Sequence, residues 1–312
     1  MRICAIDIGT NTVQSLIADV VDGRLAIVSD EERFARLGQG VDAERRLAPE
    51  AMERAVVCLA AAQETAVRLG AEQIVIGATS ASRDAANVGD LAARVRAELG
   101  LDYRVLSGAD EAALSFRGAV AAWPDAPAGS VVVVDVGGGS TEIALGTAAG
   151  GVTARTSLDV GSVRLTERRF GTRPVDAPSV EAARADVRAA VEAAPAGLRT
   201  AVADALARGA PVVATGSIAR LLARLAGLDP DTGIPRVPLS VVADWEGRLA
   251  ALTPAETLVL DPIRLAGRED VVAAAVLVLG TTLSSLGADA YVTARGGLRH
   301  GLALAAAEAL IP

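Results

Sequence analysis

The sequence predicts an α/β protein built from two similar domains. Three observations carry that reading. Two strand–turn–strand segments share one pattern: Asp7-Ile8-Gly9-Thr10-Asn11-Thr12, and Asp135-Val136-Gly137-Gly138-Gly139-Ser140-Thr141, with their aspartates 128 positions apart. Behind each, short β-branched runs alternate with longer stretches of helical period. A break at residues 123–129, with Pro124 and Pro127, separates the halves. The length of 312 residues suits two domains at about 150 residues each.

The first half opens with an apolar run at residues 3–8. A second run covers 13–21, Asp22-Gly23 makes a hairpin turn, and 25–28 returns. Pro49 suits a first helical position. From there Met52, Val56, Leu59, Gln63 and Val67 step by three or four along one face, with Gln63 the polar exception, until Gly70 stops the helix. A strand at 74–76, a helix carrying Leu91, Val95 and Leu99, and a strand at 103–106 follow.

The pattern then restarts. Strands are expected at 131–134, 143–145 and 152–158, and a helix whose apolar face is Val180, Ala183, Val187 and Val191. Val212-Val213 leads through Gly216 into a helix with Ile218, Leu221, Leu222 and Leu225. The uncharged stretch 271–288 contains Gly280, Thr281, Thr282, Ser284, Ser285 and Gly287, so it reads as a buried helix rather than a membrane span.

Composition excludes several chemistries. Hydrophobic residues make up 51% and mean hydropathy is +0.39, which supports a packed core rather than disorder. All 30 basic residues are Arg, so Schiff-base, P-loop-lysine and kinase-lysine mechanisms are closed. A single His (His300) cannot build a His-rich zinc site, and two distant Cys (Cys4 and Cys58) allow no disulfide scaffold or CxxC centre. Any catalysis rests on carboxylates, Arg and backbone amides, with or without a metal. The net charge of −8 argues against nucleic-acid or membrane-surface partners. With no basic, apolar leader at the start and few Cys, a cytoplasmic location is expected.

Cys4 and Cys58 are expected in the core, and Trp123 and Trp245 at packing or junction positions. The Arg45-Arg46 and Arg168-Arg169 pairs are expected to be solvated.

The two turns suggest anion binding. Small residues let backbone N–H groups approach an anion closely, and Thr or Ser hydroxyls add donors. The Asp ending each first strand suits a divalent cation or a metal-bound water. Ala214-Thr215-Gly216-Ser217, at a strand-to-helix junction, offers a third geometry of this kind. Two such domains would face each other across a ligand-binding cleft. Between the turns lies Ser107-Gly108-Ala109-Asp110-Glu111-Ala112. On the residues alone, Asp110 and Glu111 are first-turn acids favoured by the helix dipole.

Taken in order, several segments resemble the Ppx/GppA family of exopolyphosphatases and guanosine pentaphosphate phosphohydrolases. They are 7–12, Arg36-Leu-Gly-Gln-Gly40, 78–87, 107–112, 134–142, 161–167, Thr215-Gly-Ser217 and Gly296-Gly-Leu-Arg-His-Gly301. The Asp-x-Gly-Gly-Gly-Ser-Thr-Glu element together with Ser-Gly-x-x-Glu-Ala sets this family apart from sugar kinases and actins.

The resemblance implies two actin-like (ribonuclease H-like) domains of the sugar kinase, heat-shock chaperone and actin superfamily. Residues 1–122 would form the first, completed by a helix from 300–312, and 123–299 the second, in a short form without a further helical domain. It also implies Glu111 as the base that activates water, and Asp7, Asp135 and Glu142 at Mg²⁺ (or Mn²⁺). The loop Gly137, Gly138, Gly139, Ser140 and Thr141, the opposing loop Gly9, Thr10, Asn11 and Thr12, and Thr215, Gly216 and Ser217 would cradle phosphates. Arg36, Arg83 and Arg299 would stand near those phosphates. The implied substrate is inorganic polyphosphate, with guanosine pentaphosphate (pppGpp) the alternative, and the implied assembly a homodimer.

Phosphoanhydride hydrolysis needs an oriented water and neutralised phosphoryl oxygens, which carboxylates, Mg²⁺, amides and Arg supply. Three positions depart from the family's habit: Gln14 stands for a common Arg, Asp110 for Glu, and His300 for an acidic residue. His300 is expected as a surface residue at a helix start. An actin-fold kinase or a non-catalytic polyphosphate or nucleotide sensor are the other readings.

Overall fold

A computed structural model of the chain describes residues 1–308, in two compact units. Unit 1 comprises Met1–Pro124 together with the chain from Gly296 onward, and unit 2 is Asp125–Arg295.

In unit 1, β1 (Arg2–Ile8), β2 (Thr12–Val21) and β3 (Arg24–Phe34) form an antiparallel meander. After α1 (Val41–Glu44) and α2 (Pro49–Arg68), β4 (Gln73–Ala78) pairs parallel with β1. The helices α3 (Ser80–Asp84), α4 (Val88–Leu99) and α5 (Gly108–Ala121) follow. Among the described residues the sheet order is β3-β2-β1-β4.

Three sequence expectations change here. β3 runs on through Asp30–Arg33 to Phe34, past the apolar stretch, because an edge strand can carry charge outward. The strand expected at 103–106 shrinks to one parallel bridge between Val105 and Ala78. The chain turns at once into Ser107, whose hydroxyl accepts the Asp110 N–H and caps α5, so no ladder can grow. α2 begins at Pro49 as expected but buries Ala51, Ala55, Cys58, Leu59, Ala62 and Ala66, while Val67 is 70% exposed. Alanines let a helix lie close over a sheet, so the small face is buried. Gln63 turns its amide to the Leu99 carbonyl at the end of α4, at 2.9 Å.

Unit 2 repeats the plan. β5 (Ser130–Val136), β6 (Thr141–Thr147) and β7 (Gly151–Leu158) form a second antiparallel meander. Then come α6 (Ser162–Arg169), α7 (Ala177–Glu192) and α8 (Ala196–Ala207). β8 (Val212–Thr215) pairs parallel with β5 and runs into α9 (Gly216–Leu225). β9 (Arg236–Pro238), α10 (Leu239–Ala250), α11 (Pro254–Leu260), α12 (Val272–Leu286) and β10 (Ala290–Thr293) complete it. Among the described residues the order is β7-β6-β5-β8-β10-β9, so β7-β6-β5-β8 repeats the order of unit 1.

α12 is buried from Val272 to Leu283, as expected for 271–288. Among the described residues no helix is long and apolar enough to cross a membrane. α8, α10, α11, β9 and β10 were not foreseen; in α8 the buried Leu198, Val202 and Ala205 are spaced helically but diluted by alanine.

The last helix, α13 (Leu298–Ala307), packs in unit 1 against β1, β2 and α5. It begins at Leu298, before the expected residue 300, and residues 309–312 lie outside the described part. Alternation along β1 explains its place. Cys4, Ile6 and Ile8 join the core under α2 and α4, while Ile3 and Ala5 join Leu298, Leu302, Ala303 and Ala306 on the other face. Each buried Leu there contributes about 1.5–3 kcal/mol.

Candidate active site

The two glycine turns are built alike. Gly9 N–H donates to the Thr12 carbonyl at 2.9 Å, and Gly137 N–H to the Ser140 carbonyl at 2.9 Å. In register, Asp7 stands opposite Gln14, and Asp135 opposite Glu142. Register partners on antiparallel strands share a face. Each first Asp also pairs across the parallel neighbour, Asp7 with Gly77 and Asp135 with Thr215.

In unit 2 the start of α6 pins the turn from behind. Ser162 N–H donates to the Gly137 carbonyl at 3.0 Å, Val163 N–H to the Gly138 carbonyl at 2.8 Å, and Arg164 Nε to the Gly139 carbonyl at 2.8 Å. In a trans peptide the C=O and the next residue's N–H point opposite ways. The N–H groups of Gly138, Gly139 and Ser140 are therefore directed away from α6, as an anion nest requires. Gly161 makes this possible: a Cβ there would lie 2.6 Å from backbone atoms of Gly138 and Gly139. The Thr141 hydroxyl is spent inside the fold, donating to the Val160 carbonyl at 2.7 Å.

In unit 1 the segment after β3 does the same work. Arg36 N–H donates to the Asn11 carbonyl and Gly38 N–H to the Thr10 carbonyl, both at 2.8 Å. By the same argument the Asn11 and Thr12 N–H groups face the other way. A Cβ at Gly38 would meet Thr10 Cγ2 at 2.1 Å, so only glycine fits. Arg36 holds a left-handed φ of 46°.

Glu111 lies in the first turn of α5 and is 7% exposed. Arg83, from α3, donates through Nη1 to Glu111 Oε2 at 2.5 Å and to the Leu106 carbonyl at 3.2 Å. The structure thus joins two residues the sequence had named separately. Arg299, at the start of α13, donates to Gln14 Oε1 at 2.8 Å and to Asp30 Oδ2 at 3.2 Å. Its guanidinium stands beside the register partner of Asp7. Gln14 in turn donates to Glu32 at 2.7 Å.

Unit 2 brings Asp135, Glu142 and Gly216 together. Gly216 takes a φ of 83°, and a Cβ there would lie 3.1 Å from Asp135 Oδ1. Thr215 is buried, and Ser217 is exposed in the first turn of α9. Ser157 donates to Glu142 Oε1 at 2.7 Å. Two adjacent carboxylates suit Mg²⁺, which is commonly held by one or two of them plus phosphate oxygens and waters. Among the described residues no group of three His, Cys, Asp or Glu could enclose a metal.

His300 corrects an expectation. It is at a helix start, in the first turn of α13, but it is buried, with Nδ1 accepting the Gly297 N–H at 3.3 Å. It caps the helix from within. Cys4 and Cys58 are buried as expected. Trp245 is buried, with Arg248 stacked 3.8 Å above its ring. The sequence reading missed the parts played by Gly38, Gly161 and Arg164. A glycine and an Arg just after each meander, Arg36 with Gly38 and Gly161 with Arg164, were the available signal.

The sequence pattern of the Ppx/GppA phosphatase family matches residues 16–309. The chain belongs to the Ppx/GppA phosphatase family. A relative named Exopolyphosphatase 2, from Mycobacterium tuberculosis, is 37% identical over 98% of both chains. Another, Exopolyphosphatase 1 of Mycobacterium bovis, is 31% identical over 97% of this chain and 88% of its own. The crystal structure of an exopolyphosphatase-like protein matches all of both chains with a TM-score of 0.86 and 28% identity. An exopolyphosphatase from Cytophaga hutchinsonii shares the fold, with a TM-score of 0.87 and 23% identity over 99% of both chains. As a Ppx/GppA protein, the chain is a phosphoanhydride hydrolase with two α/β units of actin-like type.

Proposed function

We propose that this protein is an exopolyphosphatase that removes the terminal phosphate of inorganic polyphosphate. The names of its relatives support the substrate. The single observation that carries the chemistry is Glu111 held by Arg83 at 2.5 Å. A buried carboxylate oriented by a guanidinium is suited to accept a proton from an attacking water. Phosphoryl transfer asks for that orientation and for donors around the phosphoryl oxygens. In unit 2 the N–H groups of Gly138, Gly139 and Ser140 and the start of α9 are such donors, and unit 1 offers its own in the N–H groups of Asn11 and Thr12.

Asp135 and Glu142 are the residues proposed to hold Mg²⁺ or Mn²⁺. When bound, the ion neutralises charge on the phosphoryl oxygens. Asp135 keeps its aim because Gly216 leaves its Oδ1 room.

The test is phosphate release from inorganic polyphosphate and from guanosine pentaphosphate, measured in parallel. Faster release from polyphosphate supports the proposal. Preference for guanosine pentaphosphate would replace the substrate while keeping the chemistry, and release from neither would overturn both. Metal binding has its own readout: Asp135→Asn and Glu142→Gln should each weaken Mn²⁺ binding followed by electron spin resonance.

A further inference from the structure

α9 carries more than its phosphate-facing first turn. Arg220 and Arg224 lie one and two turns in, four residues apart and so on one face. Both reach a single carboxylate. Asp231 Oδ1 accepts from Arg220 Nη2 at 2.5 Å and from Arg224 Nη2 at 2.8 Å, and Oδ2 accepts from Arg224 at 2.6 Å. Asp229, the next acid, is committed to its own turn: it accepts the Asp231 N–H at 2.8 Å and the Thr232 hydroxyl at 2.7 Å. Two guanidiniums therefore share one anion.

The sharing leaves a gap. Arg220 Nε is shut away from solvent and has no hydrogen-bond partner among the described residues. An Arg binds carboxylate or phosphate best through two parallel N–H bonds. Arg220 makes one and leaves the adjacent donor unused. Asp231, half-exposed on the loop between α9 and β9, is attached like a stand-in for a larger anion with more oxygens.

We propose that Arg220 and Arg224 form a second phosphate subsite, which takes an internal phosphate of the substrate chain when Asp231 swings out. The proposal rests on the exopolyphosphatase reading and adds how a chain longer than its reacting end is held. Arg220 follows Thr215-Gly216-Ser217 on the same helix, its Cα about 6 Å beyond that of Gly216 along the axis. A phosphate there completes the Arg220 fork and takes over both guanidiniums. Asp231 is then a built-in competitor that weak or short ligands do not displace.

The test uses the full chain with two substrates, long-chain polyphosphate and inorganic tripolyphosphate. Asp231→Asn removes the competitor's charge. It should lower KM for long chains about fivefold and leave tripolyphosphate turnover unchanged. Arg220→Gln should raise KM for long chains about tenfold, and should weaken their binding by calorimetry to a similar degree. A purely structural clamp would instead give Asp231→Asn a lower Tm and an unchanged KM, and that result would overturn the subsite. If the wild type releases no phosphate from either substrate, the exopolyphosphatase reading falls. The calorimetric comparison of wild type and Arg220→Gln with long-chain polyphosphate still decides the subsite: equal affinities would end it.

Discussion

Arg83 Nη1 donates to Glu111 Oε2 at 2.5 Å, tying α3 to the first turn of α5. Glu111→Gln keeps the shape and an acceptor for Arg83 but cannot take a proton. Phosphate release should drop by about 10²–10⁴-fold, while thermal unfolding changes by a few degrees at most. A variant with wild-type turnover would remove Glu111 from the chemistry. Arg83→Met leaves the carboxylate without its strong donor, which costs about 1–3 kcal/mol of stability and should lower kcat as well. Chemical denaturation and steady-state rates measure the two effects separately.

Gly38→Ala puts a methyl 2.1 Å from Thr10 Cγ2. Overpacking of that order costs about 1–3 kcal/mol. Thr10→Ser removes the offending methyl and keeps the hydroxyl. The double variant Gly38→Ala, Thr10→Ser should regain most of the loss in urea unfolding. No recovery would mean that the clash is not what makes position 38 glycine.

Gly161→Ala acts on the other turn. Its methyl would press on backbone atoms of Gly138 and Gly139, which no rotamer change can relieve. KM should rise more than stability falls, since the N–H groups proposed to hold phosphate move with those peptides. A variant that loses stability with KM intact would contradict the anion-nest assignment.

Acid stability draws on surface carboxylates held below their usual range, Asp19, Asp176 and Glu256 among them. The hydrogen bond from Arg2 holds Asp19 below its usual range, the Ser179 N–H does so for Asp176, and the Thr253 N–H for Glu256. A folded pKa below the unfolded one means stability present above the ordinary carboxylate range and lost as pH falls through the folded values. Tm should therefore decline from pH 5 downward. Asp176→Asn with Glu256→Gln should flatten that decline; an unchanged slope would assign it to other groups.

Burial pushes the Cys4 thiol up to about 12, and Cys58 is raised by burial too. Iodoacetamide at pH 8 should leave both unlabelled in the native protein and modify them in urea. Rapid native labelling would show that the strand or helix carrying the modified Cys opens.

Much of the fold was legible because the two turns repeat. Asp7 and Asp135, each near a strand end and two residues before a glycine, marked where the first strand of each sheet turns. The core of α2 was not, because alanine scores weakly in a hydrophobic pattern yet packs closest; Ala51, Ala55 and Ala62 won over Met52 and Val67. β10 escaped notice because Ala290–Thr293 is short and follows a buried helix of similar composition. The site residues were visible as types, but the pairing of Arg83 with Glu111 spans 28 positions, and that of Arg299 with Gln14 spans 285. No local spacing reveals such contacts. His300 was misread because a polar residue near a helix start usually faces water, whereas here it caps from inside.

α13 returns to unit 1 after 171 residues of unit 2 have intervened, from Asp125 to Arg295. On the ribosome the order of completion is then inverted. Unit 2 is one contiguous stretch and can close as soon as it emerges. Unit 1, begun first, keeps Ile3, Ala5, Leu16 and Leu106 uncovered until Leu298, Leu302 and Ala306 are made. Its nascent form is an open half-sandwich for most of synthesis, and a stalled or shortened message would release a chain with that apolar face still bare.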